Sequence, residues 1–289
     1  MKIDGQQLAR RIVRDLRLRV KELQKTGTTP HLAVIWVGND PASASFIKQK
    51  SLAAAAIGAR LSIHQFKKTP LYQKLAEFIR EASRDPKIHG IIVQRPLPPS
   101  LSAQSLCKLV PRNKDVDGFL PKSAHVPPIG CAMFRLFNEI YFNKLQKTAP
   151  PDDNYSKPLL TWLKDKHIVL MGRGETAGKP IAATLSKYRL PFIMLNSRSD
   201  HPEEYLKDAD IVISAIGRSA VVNPDHLKNG VILIGVGMER KKNKLKGDYD
   251  ESQVEKISRF YTPMPGGTGP VNVACLMENL VDAAYLANQ

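Results

Sequence analysis

The stretch His167-Ile-Val-Leu-Met-Gly-Arg-Gly-Glu-Thr-Ala-Gly-Lys-Pro180 decides the fold class. It opens with an apolar run that reads as a buried strand. Gly172, Gly174 and Gly178 follow, and a helix is expected to begin near Lys179 and Pro180. Strand, glycine turn and helix in this order offer free N–H groups to an anion and let backbone approach a phosphate closely. The turn is not a nucleoside-triphosphate loop, because Pro180 stands where a magnesium-binding Ser or Thr is needed. Taken alone, it is also compatible with a plain glycine turn.

Downstream, residues 192–195 read as the next strand, ending in Asn196-Ser-Arg-Ser199. A site that reads an NAD ribose places Asp or Glu about 20 residues after the glycine turn. This chain offers hydroxyl and guanidinium groups there instead, which together with Arg173 suit the additional phosphate of NADP. Further strands are expected at 211–216 and 231–236, and a helix at 271–289 after a glycine-rich loop. The densest basic run, residues 239–246, reads as a solvated turn.

Upstream, Leu8, Ile12, Leu16, Val20 and Leu23 repeat at helical spacing within residues 4–26. A strand is expected at 31–37, a helix at 42–57 closed by Gly58, a strand at 61–66, a helix at 71–84 and a strand at 90–94. This alternation implies a parallel α/β sheet. Residues 131–145 carry a helical pattern, and 147–156 have loop composition. No internal repeat is present.

Composition narrows the classes. The chain has 289 residues, 43% apolar and 24% charged, which excludes a disordered chain. No apolar run approaches the roughly 20 residues of a membrane span. The N-terminus lacks the apolar core of a signal peptide and reads as mature cytoplasmic sequence. Cys107, Cys131 and Cys275 are far apart and odd in number, which argues against a disulfide framework or a cysteine zinc site. Lys and Arg number 43 against 27 Asp and Glu, a net charge of +16 that favours anionic partners. No aromatic RNA-binding motif, zinc finger or basic heptad region accompanies the charge, which weighs against nucleic acid.

Three more segments could carry chemistry. Phe46 and Lys50 are four apart and share a helix face. An apolar ring can desolvate a neighbouring lysine into a usable base, although Lys50 taken alone reads better as a solvated surface residue. Gln94 follows Val93 at a strand end in Val93-Gln-Arg-Pro-Leu-Pro98, and Asp117 lies in Lys114-Asp-Val-Asp-Gly-Phe119. Both could meet a heterocycle with donor and acceptor edges, or be a proline-broken strand end and a capped turn. The second segment also resembles the start of a calcium loop, without its later glycine and bidentate glutamate.

Together these segments resemble one family, the bifunctional methylenetetrahydrofolate dehydrogenase/cyclohydrolases. Five of its motifs stand in order: 37–50, 90–98, 114–119, 169–180 and Thr262-Pro-Met-Pro-Gly-Gly-Thr-Gly-Pro-Val-Asn272. The resemblance implies two α/β domains around a cleft. A folate-binding catalytic domain would span 1–136, with helix 266–289 packing back on it, and a Rossmann-like NADP domain with a parallel sheet would span 137–265. It implies oxidation of 5,10-methylenetetrahydrofolate by NADP and hydrolysis of the product to 10-formyltetrahydrofolate, without a metal. Lys50 would be the central catalytic residue, Gln94 would hold it, and Asp117 would bind the pteridine. Phe46, Val93, Arg95, Pro265, Gly266, Gly267, Thr268 and Gly269 would line the folate. Gly172, Arg173, Gly174, Ser197, Arg198 and Met238 would meet NADP. Polyglutamylated folates and a homodimer are further implications.

The chain departs from the family at several places. The family's tyrosine is Phe46, the serine of its glycine turn is Gly174, and the aspartate of a later strand is Gly235. Its PCTPxG stretch is reduced to Val126-Pro-Pro-Ile-Gly130. The segment 118–130 is shorter and 130–172 longer, changes that loops tolerate. The departures favour clear dehydrogenase and weak cyclohydrolase activity. Two rivals remain: an anion- or nucleic-acid-binding relative that keeps the fold without catalysis, and a dehydrogenase of similar architecture with another substrate.

Overall fold

A computed structural model of the chain describes residues 1–145, 155–241 and 244–288. The chain divides into an amino-terminal unit, residues 10–128 with 273–289, and a central unit, residues 1–9 with 129–272. The loop expected at 147–156 lies almost wholly outside the described residues.

In the amino-terminal unit, α1 (Gly5–Lys25) buries the expected stripe Leu8, Ile12, Leu16, Val20 and Leu23. Strand β1 (His31–Val37) leads through Asp40 into α2 (Pro41–Ile57). The Asp40 carboxylate accepts from Ser43 N at 2.7 Å, and Pro41 sits where its missing N–H costs nothing. Gly58, at φ 81°, ends the helix in the left-handed conformation that glycine adopts without strain. Strand β2 (Arg60–Phe66), α3 (Tyr72–Arg84), β3 (Gly90–Val93) and α4 (Ala103–Cys107) follow. The sheet order is β2-β1-β3, all parallel. The edge strand β2 alternates in exposure, while β3 is buried throughout. Ile35, Leu75, Ile79, Ile91 and Leu106 belong to the core between sheet and helices.

After residues 1–9, the central unit resumes within α5 (Pro128–Asn138), which runs into a π-helical turn at Glu139–Lys144. The helix α6 (Lys157–Lys164) lies within a segment that carries no expected element in the sequence. Strand β4 (Ile168–Met171), α7 (Gly178–Lys187), β5 (Ile193–Leu195), α8 (Pro202–Asp208), β6 (Ile211–Ser214) and β7 (Ile232–Gly235) follow. A hairpin of β8 (Met238–Lys241) and β9 (Lys244–Gly247), then α9 (Glu251–Val254), β10 (Phe260–Tyr261) and α10 (Thr268–Ala287) complete the chain. The main sheet is parallel, in the order β10-β7-β6-β4-β5. Val169, Leu195, Val212, Leu233 and Tyr261 lie in its core.

Three expectations are corrected. Of the basic run at 239–246, the described residues 239–241 and 244–246 lie in two paired strands rather than a turn, with Glu239 opposite Lys246 and Arg240 opposite Leu245. Local charge hid a pairing that needs the partner strand to be seen. The last helix starts at Thr268, so Thr268 and Gly269 form its first turn rather than loop. Pro270 is tolerated there because the first turn's N–H groups have no intrahelical acceptor. Residues 1–9, placed by sequence with the first domain, cluster with the central unit, where Ile3 N donates to Tyr261 O at 2.8 Å.

Candidate active site

Lys50 and Gln94 meet in the amino-terminal unit. Lys50 lies on α2, and Gln94 follows directly after β3. Gln94 N donates to Ile35 O at 2.9 Å, continuing the pairing with β1 beyond the strand. Its side chain is spanned on both ends. Oε1 accepts from Lys50 Nζ at 3.0 Å, and Nε2 donates to Arg95 O at 2.7 Å. The amide is therefore held in one orientation with its oxygen toward the ammonium group.

Burial pushes the Lys50 pKa below that of a free lysine, and the Asp117 carboxylate opposes the shift. Lys50 is only partly buried over its whole length, so the desolvation belongs to its enclosed ammonium end. Asp117 shows the complementary behaviour. Burial pushes its pKa up, Lys50 and Arg95 draw it down, and Asp115 adds to the rise. Burial thus opposes the charged form of both groups, while the charge on each favours that of the other.

The loop that carries Asp117 is built by its neighbours. Lys114 Nζ donates to Ser83 O at 2.9 Å and Asp85 O at 2.7 Å, while Ile91 N donates to Lys114 O. Asp115 caps the turn, accepting from Phe119 N and Leu120 N. Asn279 Nδ2 donates to Val116 O and Val126 O, each at 2.8 Å. Gly118 has φ 65°, and a Cβ there would lie 2.7 Å from Pro127 N. Within one short motif, Lys114 and Asp115 serve the fold, while Asp117 is coupled electrostatically to Lys50.

The remaining expected residues of this unit are placed as follows. Val93 is buried at the end of β3. The Arg95 guanidinium lies 4.3 Å from the centre of the Phe119 ring and donates to Cys107 Sγ at 3.6 Å. Phe46 stands one turn before Lys50 on α2 and is 48% exposed. Its ring is thus too open to account for the desolvation of the lysine.

The central unit holds the glycine turn. Gly172 has φ 100°, and a Cβ on it would lie 2.5 Å from Ala215 O. A Cβ on Gly178, the first residue of α7, would lie 2.2 Å from Gly172 O. A tight turn and a close helix approach of this kind are what a pyrophosphate cradle needs. Gly174 has open space beside it, so the serine found in the family would fit. Arg173, Ser197 and Arg198 are exposed. Asn196 organises the second loop, its Oδ1 accepting from Arg198 N at 3.0 Å. The residues present fit a dinucleotide with an additional phosphate.

Pro265 is exposed, and Gly266 has φ 104°. Gly267 is buried, and Gly267 N donates to Pro263 O. A Cβ on Gly5 would collide with Gly267 O, so the two backbones touch. The Thr268 hydroxyl is buried and donates to Gly235 O at 2.7 Å, while Gly269 remains exposed. Met238 is half-buried at the start of β8. The space an aspartate would need at Gly235 is filled: a Cβ there would meet Met264 Sδ and come within 2.8 Å of Tyr249 OH. Tyr249 OH itself donates to Thr262 O.

Sequence reasoning missed Asp248. It is fully buried, and its carboxylate accepts four hydrogen bonds from Ser214 Oγ, Ile216 N, Gly217 N and Arg218 N. The only local signal is a charged residue beside a glycine at the end of a basic run, which is unremarkable in a loop.

Comparison with known proteins covers both units. A family model described as tetrahydrofolate dehydrogenase/cyclohydrolase, catalytic domain, matches residues 3–117. The model for the NAD(P)-binding domain of the same family matches residues 158–288. The bifunctional protein FolD of Bacillus subtilis is 34% identical over 283 residues, covering 98% of this chain and 96% of its own. The crystal structure of the bifunctional FolD enzyme of Campylobacter jejuni aligns with a TM-score of 0.88 at 28% identity, covering 99% of each chain. The Trypanosoma brucei dehydrogenase-cyclohydrolase, solved with NADP and an inhibitor, aligns with a TM-score of 0.86 at 25% identity, covering 99% of this chain and 97% of its own.

Proposed function

The chain belongs to the tetrahydrofolate dehydrogenase/cyclohydrolase family, and on that premise we propose how its residues perform the family's two reactions. The protein oxidises 5,10-methylenetetrahydrofolate to the methenyl form with NADP and hydrolyses that product to 10-formyltetrahydrofolate. Bound NADP supplies the hydride acceptor. The protein's own part in the first step is binding and alignment, which can supply most of a rate enhancement when reacting atoms are held in contact.

In our reading, Asp117 accepts hydrogen bonds from the pteridine ring. Burial raises its pKa, and the charges of Lys50 and Arg95 oppose that rise. In the hydrolytic step, water adds to the methenyl carbon and gives a proton to Lys50 Nζ. The remaining O–H proton is then lost as the carbonyl forms and the bond to the ring nitrogen breaks, and that nitrogen takes a proton. Gln94 orients Nζ through the 3.0 Å hydrogen bond. The observation that carries this reading is the desolvated Lys50, fixed by Gln94 and electrostatically coupled to Asp117. Arg173, Ser197 and Arg198 hold the additional phosphate of NADP, and the turn at Gly172 takes its pyrophosphate.

Polyglutamylated folates suit the net charge of +16. A homodimer rests on the family resemblance. A reducing, cytoplasmic setting suits three cysteines that form no disulfide among the described residues. No helix among the described residues is long and apolar enough to cross a membrane.

The test is a coupled assay on purified protein. With methylenetetrahydrofolate and NADP, methenyl absorbance and NADPH should appear together, and added methenyltetrahydrofolate should be hydrolysed faster than in buffer. Protein that does neither sinks the assignment.

A further inference from the structure

The parallel order β10-β7-β6-β4-β5 has one reversal: the chain passes from β4 outward to β5, then returns to β6 on the other side of β4. In open α/β sheets the ligand crevice lies at such a reversal, outside the carboxyl ends of the strands. One wall is the turn at Gly172. The other is the segment Ala215-Ile-Gly-Arg218 that leaves β6. The two walls touch, since Ala215 O occupies the place of a Gly172 Cβ and Ala215 N donates to Met171 O.

That second wall is held by one side chain. Asp248 Oδ2 accepts from Ser214 Oγ at 2.7 Å and Ile216 N at 2.9 Å. Oδ1 accepts from Gly217 N at 2.8 Å and Arg218 N at 2.9 Å. Three successive backbone N–H groups form an anion nest, and here the protein's own carboxylate fills it. The hairpin β8–β9 delivers this residue, which follows Gly247 directly. Gly237 makes room, because a Cβ there would lie 2.3 Å from both Asp248 Oδ2 and Gly217 N.

We infer that Asp248 is a positioning residue for dinucleotide binding: it fixes the 215–218 segment as the second wall of the NADP crevice. The inference rests on the assignment of NADP to the central unit. Since Asp248 takes the nest's donors, the segment meets a ligand through its other atoms. The carboxylate's role is therefore to set shape, with no direct contact to phosphate.

Asp248→Asn and Ser214→Ala test this. An amide keeps one acceptor and turns an NH2 group onto N–H donors, so Asp248→Asn disrupts half the nest; Ser214→Ala removes one hydrogen bond only. Three readouts are taken on each full-length protein: NADP affinity by calorimetry, the NADP-induced rise in Tm, and hydrolysis of methenyltetrahydrofolate, which uses no dinucleotide. Asp248→Asn should bind NADP at least about tenfold more weakly and Ser214→Ala about two- to fivefold, with hydrolysis changed less than twofold. NADP affinity within twofold of wild type in a folded Asp248→Asn protein overturns the inference. So does parallel loss of binding and hydrolysis in that variant with Ser214→Ala unchanged, which marks a purely structural residue. If Asp248→Asn does not fold, unchanged NADP affinity in Ser214→Ala is decisive against it. Wild-type protein that shows no NADP binding would instead remove the dinucleotide assignment itself.

Discussion

Lys50 Nζ donates to Gln94 Oε1 at 3.0 Å, joining a helix to the end of a strand across 44 positions of sequence. The bond orients the amine while burial lowers its proton affinity. Lys50→Met should abolish hydrolysis before it abolishes hydride transfer. Gln94→Ala should leave the amine in place but unaligned, with a loss approaching 100-fold for displaced catalytic groups. Hydrolysis should also rise with pH through a limb below the 10.5 of a free lysine, because the lowered pKa exposes the neutral amine earlier. Stopped assays of both steps across pH check all three outcomes.

Phe46 stands where the family carries tyrosine, one turn from Lys50 and 48% exposed. A phenol placed there could reach toward the site from a solvated position. Phe46→Tyr should therefore raise hydrolysis more than hydride transfer. Paired rate measurements decide it; a wild-type enzyme that already hydrolyses methenyltetrahydrofolate as fast as it forms it would make the missing hydroxyl irrelevant.

Asp117→Ala should raise the folate KM steeply or abolish both activities while NADP still binds. The adjacent acid is the control. Asp115→Ala removes two turn-capping hydrogen bonds and should lower Tm as well as activity. Thermal melts beside folate titrations separate the roles, and normal folate kinetics in Asp117→Ala would exclude it from the site.

Arg173 is exposed beside the cradle at Gly172. Arg173→Ala should weaken NADP roughly tenfold or more and NAD far less, since a charge-assisted contact to phosphate is lost only for NADP. Equal losses for the two dinucleotides, measured by titration, contradict the assignment.

His31 and His89 are both buried, and His31 N donates to His89 Nδ1 at 3.1 Å. That nitrogen must be unprotonated to accept. Burial lowers both pKa values below the 6.5 of a free histidine. The unfolded chain therefore binds protons that the folded chain does not. Stability should be level above about pH 7 and fall as pH drops through 6.5 toward the folded pKa values, by about 1.4 kcal/mol for each unit of difference. Urea melts between pH 5 and 8 measure the slope. A His89→Gln variant with an equally steep profile would assign the effect to other groups.

Much of this fold is written locally. The apolar stripe of α1, the run of β1, the cap at Asp40 and the stop at Gly58 each depend on neighbours within a few positions. The glycine turn at 172 follows the same rule, because a strand, a positive φ and a helix start all leave marks in adjacent residues. The meeting of Lys50 with Gln94 was legible too, from two motifs of fixed spacing.

Other features depended on partners far along the chain. Asp115 and Asp117 are chemically identical in sequence; only packing set one onto the backbone of its own turn and buried the other within the field of Lys50. The hairpin at 238–247 was hidden because a two-stranded pairing depends on register, which the charges do not encode. Gly235 lost its family aspartate, and only the packed structure revealed Met264 and Tyr249 in that space. Asp248 bonds to residues 30–34 positions away, so nothing near it in the sequence announces its role. Propensity and turn chemistry act over a few residues and can be read from sequence. The fate of a buried charge depends on which donors the completed fold brings to it, and that is settled only when distant segments meet.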